Sequence, residues 1–556
     1  MTGTVVHALL DSARRTPDRL AFRVIERTEE EFALSCADVA RLLRGTAAGL
    51  SAQGLGEGDR VILVLPTSRD FLAAYLGCLY AGIVPVVAAE PTGAPSARYT
   101  ENLRRLAEHA RARRIIAPPE LAPALQIPVT TPDAVRGAAS GPDGPRARPD
   151  TLAHLQATSG STGAPKLAMV RHGNIVANVR AIAEAIRARA DDSLVSWLPL
   201  FHDMGLIGIS YALQARIPMV LADPVTFLRN PLSWLRWISR YGGTLSPAPS
   251  SAFHICARVA RRRPPDDLDL SRWRVALCGA EPVHASTLRE FQDTFGPFGL
   301  PETTLLPVYG LAEATLAVTI PDVDRAYTVD RVDAEAVAAK GHAEPRPADD
   351  PRSVAMTCVG PVLPGHRLRI VGEDGAPVPE RAIGEIEVAG PSVIDGYLPE
   401  PGPQGQADDA LRTPDGYLRT GDLGYQADGE VYVTGRRKDI VIIAGRNYVP
   451  DQLERFVEAV TESPRTPAVV AVGVPDRSLP TEQLHLLLDE RLAEEGERQS
   501  VTDRVTRALA EAFGIAGVTF HWIARSQLPR TTSGKIQRHL CRKMIEEQLT
   551  APSRHA

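Results

Sequence analysis

From about residue 59 to residue 320 the chain alternates short apolar runs with stretches of helical length, and few architectures accommodate that rhythm. Asp59-Arg-Val-Ile-Leu-Val-Leu-Pro66 reads as a buried strand. Phe71 to Ala89 is nineteen residues without a charge, the length at which a membrane span has to be weighed. Gly77, Gly82 and Pro85 interrupt it, and Ile83-Val-Pro-Val-Val-Ala88 has a strand's composition. A core helix followed by a strand is therefore the reading, with no membrane span. Upstream, Val5, Leu9 and Leu10 mark a helix that ends before Pro17, and Leu20-Ala-Phe-Arg-Val24 reads as a strand. Ser35 stands as N-cap of a helix over about 35–54, with Val39, Leu42, Leu43 and Leu50 at helical spacing. Strands apolar on both faces and separated by helices predict a mainly parallel α/β sheet with both faces covered.

The texture changes near residue 359. Arg367-Leu-Arg-Ile-Val371, Gly384-Glu-Ile-Glu-Val388 and Glu430-Val-Tyr-Val433 alternate in period two between Gly, Asp and Pro, which predicts a small antiparallel barrel or sheet over about 359–434. After Gly435 a compact tail of about 120 residues, large enough for a domain, reads as helix near 450–460, strand at 468–474, helix near 501–513 and strand at 518–522. The fold expected is thus α/β: a large N-terminal body over 1–434 joined near 435–439 to a small C-terminal α+β domain over 440–556.

Composition narrows the partners. A formal net charge of −5 over 556 residues and no Lys/Arg cluster interleaved with aromatics exclude an electrostatic case for nucleic acid. The densest basic run, Arg261-Arg262-Arg263, precedes Pro264-Pro265 and reads as a solvated loop. Six cysteines at 36, 78, 256, 278, 358 and 541 form no CxxC pair and no metal-ligand spacing, and the amino terminus lacks a basic, apolar leader. A reduced, cytoplasmic protein is expected.

Four stretches carry polar chemistry. Thr158-Ser-Gly-Ser-Thr-Gly-Ala-Pro-Lys166 sets hydroxyls, two glycines and a lysine directly after the apolar run Leu152–Ala157. Hydroxyls and exposed N–H groups wrap a polyphosphate, glycines permit close approach, and a lysine adds a point charge. A Walker A loop is excluded, since no Gly precedes Lys166 and no Ser or Thr follows it. In Val308-Tyr-Gly-Leu-Ala-Glu-Ala-Thr315 a stacking face and a carboxylate lie four residues apart, and magnesium needs only one or two carboxylates besides substrate phosphates. Val275-Ala-Leu-Cys-Gly-Ala-Glu-Pro-Val283 reads as a strand ending in a Gly-Ala turn, where ligands of open α/β sheets sit. Leu198-Pro-Leu-Phe-His-Asp-Met-Gly-Leu-Ile-Gly208 sets an imidazole beside a carboxylate, as either a general-base pair or a satisfied core histidine.

Taken together these strings resemble the adenylate-forming superfamily of acyl-CoA synthetases, fatty acyl-AMP ligases, nonribosomal peptide adenylation domains and luciferases. The resemblance covers essentially the whole chain; one departure is Leu167-Ala-Met169 where the family usually continues with Gly after the lysine. It implies ATP and Mg²⁺ as cofactors. It makes Thr158, Ser159, Gly160, Ser161, Thr162, Gly163 and Lys166 the phosphate loop. Gly279, Ala280 and Glu281 meet adenine, Tyr309 stacks on it beside Gly310, Leu311 and Ala312, and Glu313 holds Mg²⁺. His202, Asp203, Met204 and Gly205 border the acyl pocket. In Tyr417-Leu-Arg-Thr-Gly-Asp-Leu-Gly424 the resemblance puts Asp422 on a tight turn against the ribose hydroxyls. Val433-Thr-Gly-Arg-Arg-Lys-Asp439 supplies Arg436 as a second ribose or phosphate contact and Lys438 as the hinge of a mobile C-terminal lid. Leu528-Pro-Arg-Thr-Thr-Ser-Gly-Lys-Ile-Gln537 supplies Lys535, which stabilises charge as the acid attacks.

The activity so implied is attack of a carboxylate on the α-phosphorus of ATP, release of pyrophosphate, and capture of the acyl-adenylate by a thiol. The form His202-Asp-Met-Gly-Leu-Ile-Gly208 looks like the fatty acyl-AMP ligase branch, whose thiol belongs to a phosphopantetheinylated acyl-carrier protein. About forty residues separate Val318 from Val359, a length uncommon for a loop without a role. That branch carries an insertion there which is thought to hamper use of CoA. An acyl-CoA synthetase and a non-catalytic protein on the same fold are the alternatives. Gly243-Thr-Leu-Ser-Pro-Ala-Pro-Ser-Ser-Ala-Phe253 departs from the wording of long-chain members, which favours a shorter, branched or aromatic acid.

Overall fold

The computed structural model describes residues 3–550 apart from 92, 125–126, 138–143, 159–164, 351, 401–410, 462–468, 476–480, 516 and 531–535. It divides into two compact units. One comprises Met1–Tyr327, Gly360–Arg367 and Val388–Leu418, the other Thr328–Val359, Leu368–Glu387 and Arg419–Ala556.

The mainly parallel α/β architecture that periodicity predicts is built in the first unit as two sheets. The seven-stranded sheet runs in the order Leu305–Pro307, Val275–Gly279, Leu245–Pro249, Leu194–Ser196, Met219–Ala222, Leu20–Ile25, Glu31–Ser35. The six-stranded sheet runs Val129–Thr130, Arg114–Ile116, Arg60–Leu63, Val84–Val87, Leu152–Thr158, Lys166–Arg171. Each is parallel except for one antiparallel edge pair, Leu20–Ile25 with Glu31–Ser35 and Leu152–Thr158 with Lys166–Arg171. A local pattern records that a strand is buried on both faces but not its neighbour, and Leu20–Ile25 takes its parallel neighbour from Met219–Ala222.

Both faces of both sheets are covered. Phe22 and Val24 of one sheet and Val61 and Leu63 of the other share a core with Leu43, Tyr75, Ile175 and Leu206 from helices lying between them. The far face of the seven-stranded sheet carries Trp197, Trp234, Phe253, Trp273 and Phe291. Trp234 meets Trp273 edge-on at 5.3 Å and donates its indole N–H to Ser246 Oγ at 2.8 Å, so its one polar atom is satisfied. The far face of the six-stranded sheet packs Ile62, Val86 and Ile115 against Leu103 and Leu106.

The uncharged stretch from Phe71 is a buried helix, Arg69–Ala81, capped by Ser68 Oγ accepting the Phe71 N–H at 3.2 Å. Gly82, at φ +73°, ends it, and Pro85 lies within the strand Val84–Val87. Gly77 does not break the helix. A Cβ there would come within 2.8 Å of Thr46 Cβ on the helix Cys36–Ala52, so glycine sets how closely the two helices approach. Ser35 caps that second helix through the Asp38 N–H at 3.1 Å. No helix among the described residues is long and apolar enough to cross a membrane, and all six cysteines are buried thiols.

In the second unit a four-stranded sheet orders Arg367–Val371, Gly384–Ala389, Leu418–Ala427 and Glu430–Arg436. A three-stranded sheet, Val469–Pro475, Glu482–Asp489 and Val518–Ile523, packs Leu484 and Leu486 against the helices Pro450–Val460 and Arg498–Phe513 on one face. Its other face packs Leu487 against Cys541 and Ile545 of the helix Arg538–Thr550. The stretch read as a long loop before Val359 is a packed element. Val329–Asp333 and Ser353–Thr357 pair antiparallel. Val332, Val337 and Met356 share a core with Tyr425 and Tyr432, and Ala334 and Ala338 share one with Val441 and Leu453.

The same unit buries an ion pair. Glu454 accepts from Arg538 at 2.6 Å and from the Ala471 N–H at 2.8 Å. Burial pushes its carboxyl up to about 7, and the Arg538 guanidinium opposes that rise. Arg538→Met leaves a buried carboxylate without its partner, so urea titration should show a loss of about 3–5 kcal/mol. The double variant Glu454→Leu, Arg538→Met should recover most of it, because the loss belongs to the orphaned charge.

Candidate active site

Strand Leu152–Thr158 sets Thr158 opposite Lys166 across an antiparallel ladder, and Thr158 Oγ1 donates to the Lys166 carbonyl at 3.5 Å. The two residues hold the ends of the hydroxyl- and glycine-rich loop. Ser159, Gly160, Ser161, Thr162 and Gly163 lie outside the described residues, as does Lys535.

Residues 391–398 run along the outer side of that hairpin. The Met169 N–H donates to the Gly396 carbonyl at 3.1 Å and the Leu398 N–H to Leu167 at 2.8 Å. Asn174 Nδ2 donates to the Pro391 carbonyl at 2.9 Å. The same segment grips the Tyr-Gly-Leu-Ala-Glu string, since the Ile394 N–H donates to the Glu313 carbonyl at 2.9 Å and Thr315 Oγ1 to the Ser392 carbonyl at 2.6 Å. Tyr309–Gly310 is a short strand paired with Ala317–Thr319, and Ala312–Ala314 forms a single 3-10 turn. A Cβ at Gly310 would collide with the Leu316 carbonyl, so only glycine permits this fold-back. The Leu311 N–H donates to the Leu316 carbonyl at 2.8 Å, closing the turn that carries Glu313. Tyr397 joins the two systems. Its hydroxyl donates to Glu313 Oε1, and Lys166 Nζ lies 4.6 Å from its ring centroid.

The adenine candidates sit at neighbouring strand ends. Val275–Gly279 lies beside Leu305–Pro307, and a Cβ at Gly279 would fall 2.8 Å from Val308 Cγ2 and 2.9 Å from the Val308 carbonyl. Ala280 adopts φ +65°, a left-handed turn at the strand's carboxyl end. The Glu281 carboxylate accepts the Ser251 N–H at the start of the helix Ser250–Arg262, so this side chain caps a helix.

His202 is the N-cap residue of the helix Asp203–Ala215. Its Nδ1 stands 3.9 Å from Asp203 Oδ1, too far for a hydrogen bond, and Asp203 accepts the Met204 N–H at 2.7 Å instead. The imidazole and the carboxylate are thus within ion-pair range without being hydrogen-bonded to each other. A Cβ at Gly205 would collide with the Pro199 carbonyl, and Gln156 Nε2 on the loop-bearing strand donates to the Phe201 carbonyl at 2.9 Å. The histidine string is thus tied to the strand that ends at Thr158.

Asp422, Arg436 and Lys438 belong to the second unit. Asp422 lies inside the strand Leu418–Ala427 and not on a tight turn; Gly421 before it has φ +70°, and the pairing register shifts between Leu423 and Gly424. Asp422 is buried opposite Arg436, whose Nε donates to its Oδ1 at 2.8 Å. Lys438 is exposed in the turn Arg437–Asp439.

Glu313 fits Mg²⁺ by the chemistry of its donor. It offers hard carboxylate oxygens, and among the described residues no cluster of three or more His, Cys, Asp or Glu forms an all-protein cage. One carboxylate completed by substrate phosphates is the arrangement magnesium accepts. Sequence reasoning missed Tyr397, which lies 84 positions from Glu313. It also missed the support beneath it, where Ser392 Oγ meets His366 Nε2 at 2.6 Å. The only signal was the dipeptide Gly396-Tyr397 behind a strand, and no spacing connects it to Lys166.

A family model described as AMP-binding enzyme matches residues 9–398. The chain is 33% identical over 500 residues to a provisionally named acyl-CoA synthetase of Caulobacter vibrioides, covering 88% of this chain and 86% of that one. It is 33% identical over 566 residues to the medium-chain-fatty-acid–acyl-carrier-protein ligase JamA of Moorena producens, covering 96% and 93%. The fold matches a structure from studies of fatty acyl-adenylate ligases of E. coli and L. pneumophila at a TM-score of 0.89 and 31% identity, over 99% of both chains.

Two histidines near the loop-bearing strand make a pH prediction. Burial pulls His154 down to about 3 and His172 down to about 4, each from 6.5. Below pH 6.5 the unfolded chain takes up protons that the folded chain refuses, so their stabilisation is present above that pH and lost on acidification. Urea titrations from pH 7 to 4 should show stability falling by up to about 1.4 kcal/mol per pH unit for each group. His154→Gln should flatten that slope.

Proposed function

The chain belongs to the AMP-binding enzyme family, and on that premise we propose that it activates a fatty acid with ATP and loads it onto an acyl-carrier protein. The acid's carboxylate oxygen attacks the α-phosphorus, the bond to the bridging oxygen breaks, and pyrophosphate leaves. The phosphopantetheine thiol then attacks the acyl carbon and AMP departs with the electron pair of the former anhydride bond. The observation that carries this reading is the convergence of Lys166 and Glu313 on Tyr397, a cation for phosphate and a carboxylate for metal within reach of one side chain.

In this reading Thr158, Lys166 and the residues between them bind the phosphates, and Glu313 holds Mg²⁺, which when bound neutralises phosphate charge. Tyr309, beside Gly279 and Ala280, takes the adenine. Asp422 and Arg436, ion-paired across neighbouring strands, take the ribose. His202 to Gly205 border the acyl group, and Lys535 stabilises charge in the transition state. Residues 435–439 form the hinge, with Lys438 exposed in it, between a body over 1–434 and a lid over 440–556. The six buried thiols support a cytoplasmic setting.

The Caulobacter relative supports a second reading, acyl-CoA formation. Incubation with ATP, Mg²⁺, a panel of acids, and either CoA or a phosphopantetheinylated carrier separates the two when acyl-AMP and thioesters are followed by mass spectrometry. Acyl-AMP with carrier loading and negligible acyl-CoA is expected; efficient acyl-CoA formation would replace the carrier reading. Lys535→Ala should slow adenylate formation about 10²–10³-fold, the loss that follows removal of one charge-stabilising donor.

A further inference from the structure

We propose that Tyr397 is a positioning residue that holds the Lys166 ammonium and the Glu313 carboxylate in separate, ready orientations before ATP arrives. The inference rests on the reading of Lys166 as a phosphate contact and Glu313 as the metal carboxylate. Those roles impose a conflict, because opposite charges in a partly desolvated cleft attract strongly. A direct contact between them would occupy both the cation meant for phosphate and the carboxylate meant for metal. Tyr397 engages each without neutralising either. Its ring face carries the ammonium at 4.6 Å, and its hydroxyl donates to Oε1 of the carboxylate. An aromatic face holds a cation more weakly than phosphate does, so this contact does not oppose transfer of the ammonium to nucleotide. A neutral donor on one carboxylate oxygen orients the other, as partners behind metal ligands do.

The backbone makes Tyr397 suited to this task. It pairs with Ala168 in an antiparallel bridge, which sets it diagonal to Lys166 on the same strand face. The flanking bonds, Met169 to Gly396 and Leu398 to Leu167, fix it to the strand that carries the lysine. Three residues earlier the Ile394 N–H holds the Glu313 carbonyl at 2.9 Å. One short segment therefore determines the position of both charged groups. Hydroxyl and ring act on different partners, so they are separable by substitution.

The test is equilibrium binding of ATP to the full-length protein by calorimetry, without acid so that nothing turns over, in EDTA and across a Mg²⁺ series. Wild-type protein should bind ATP more tightly as Mg²⁺ rises; a flat series would sink the Glu313 reading itself, independently of Tyr397. Tyr397→Phe keeps the ring and removes the hydroxyl. It should raise the Mg²⁺ concentration giving half of that gain about tenfold and leave the affinity in EDTA and the melting temperature unchanged. Tyr397→Leu removes both parts and should lower the affinity in EDTA as well, several-fold. A Mg²⁺ series for Tyr397→Phe that superposes on wild type overturns the proposal. So does an equal loss of binding in EDTA and in Mg²⁺ accompanied by a lower melting temperature, which would make Tyr397 a packing residue only.

Discussion

The ladder that sets Thr158 opposite Lys166 is the constraint on which the rest of the proposed site depends. A loop meant to surround a polyphosphate needs its two ends held in fixed positions. Here the inner strand is buried within the six-stranded sheet and the outer strand is clasped by residues 391–398. Neighbouring groups are then positioned from the same frame. Gln156 holds the Phe201 carbonyl beside the histidine string, and residues 391–398 hold the turn that carries Glu313.

The frame is expensive in polar groups, and nearly all of them are matched. Thr315, held at φ +72°, bonds to the Ser392 carbonyl, and Ser392 in turn meets His366. Asn178 accepts the Ala317 N–H at 3.1 Å and donates to the Ala317 carbonyl at 2.8 Å, satisfying both backbone groups of that residue. Such strained and buried contacts persist where the surroundings over-determine them, which is common where a protein holds a ligand.

The residues before Val359 change the meaning of a long interval in the sequence. They do not form a surface loop; they contribute a hairpin to the core of the second unit. Buried Asp333 ties the element together, accepting the Ala336 N–H at 2.8 Å and pairing with Arg346. An element sharing a core with Val441 and Leu453 cannot be removed without exposing them. Whatever the element does for acceptor choice, it also stabilises the unit that contains it.

Much of this was legible in the chain. Helical and strand periods placed Cys36–Ala52, Arg69–Ala81 and Pro450–Val460 within a few residues, because burial of one stripe or of all faces is written locally. Chemical strings were equally plain, since phosphate, adenine and metal each demand particular side chains at short spacing. Pairings were not. The strand order of the two sheets, Gly77 as a contact and not a breaker, Asp422 inside a strand, and Glu281 capping a distant helix all depend on neighbours remote in sequence. Tyr397 is the clearest case: its ring and hydroxyl are ordinary in isolation, and only the bridge to Ala168 brings them to Lys166 and Glu313. The sequence by itself thus determined which elements form and which chemical groups they carry, because propensity and motif act over a few residues. Only the tertiary structure decided which of those groups face one another, because that is settled by strand pairing and close packing across the whole chain.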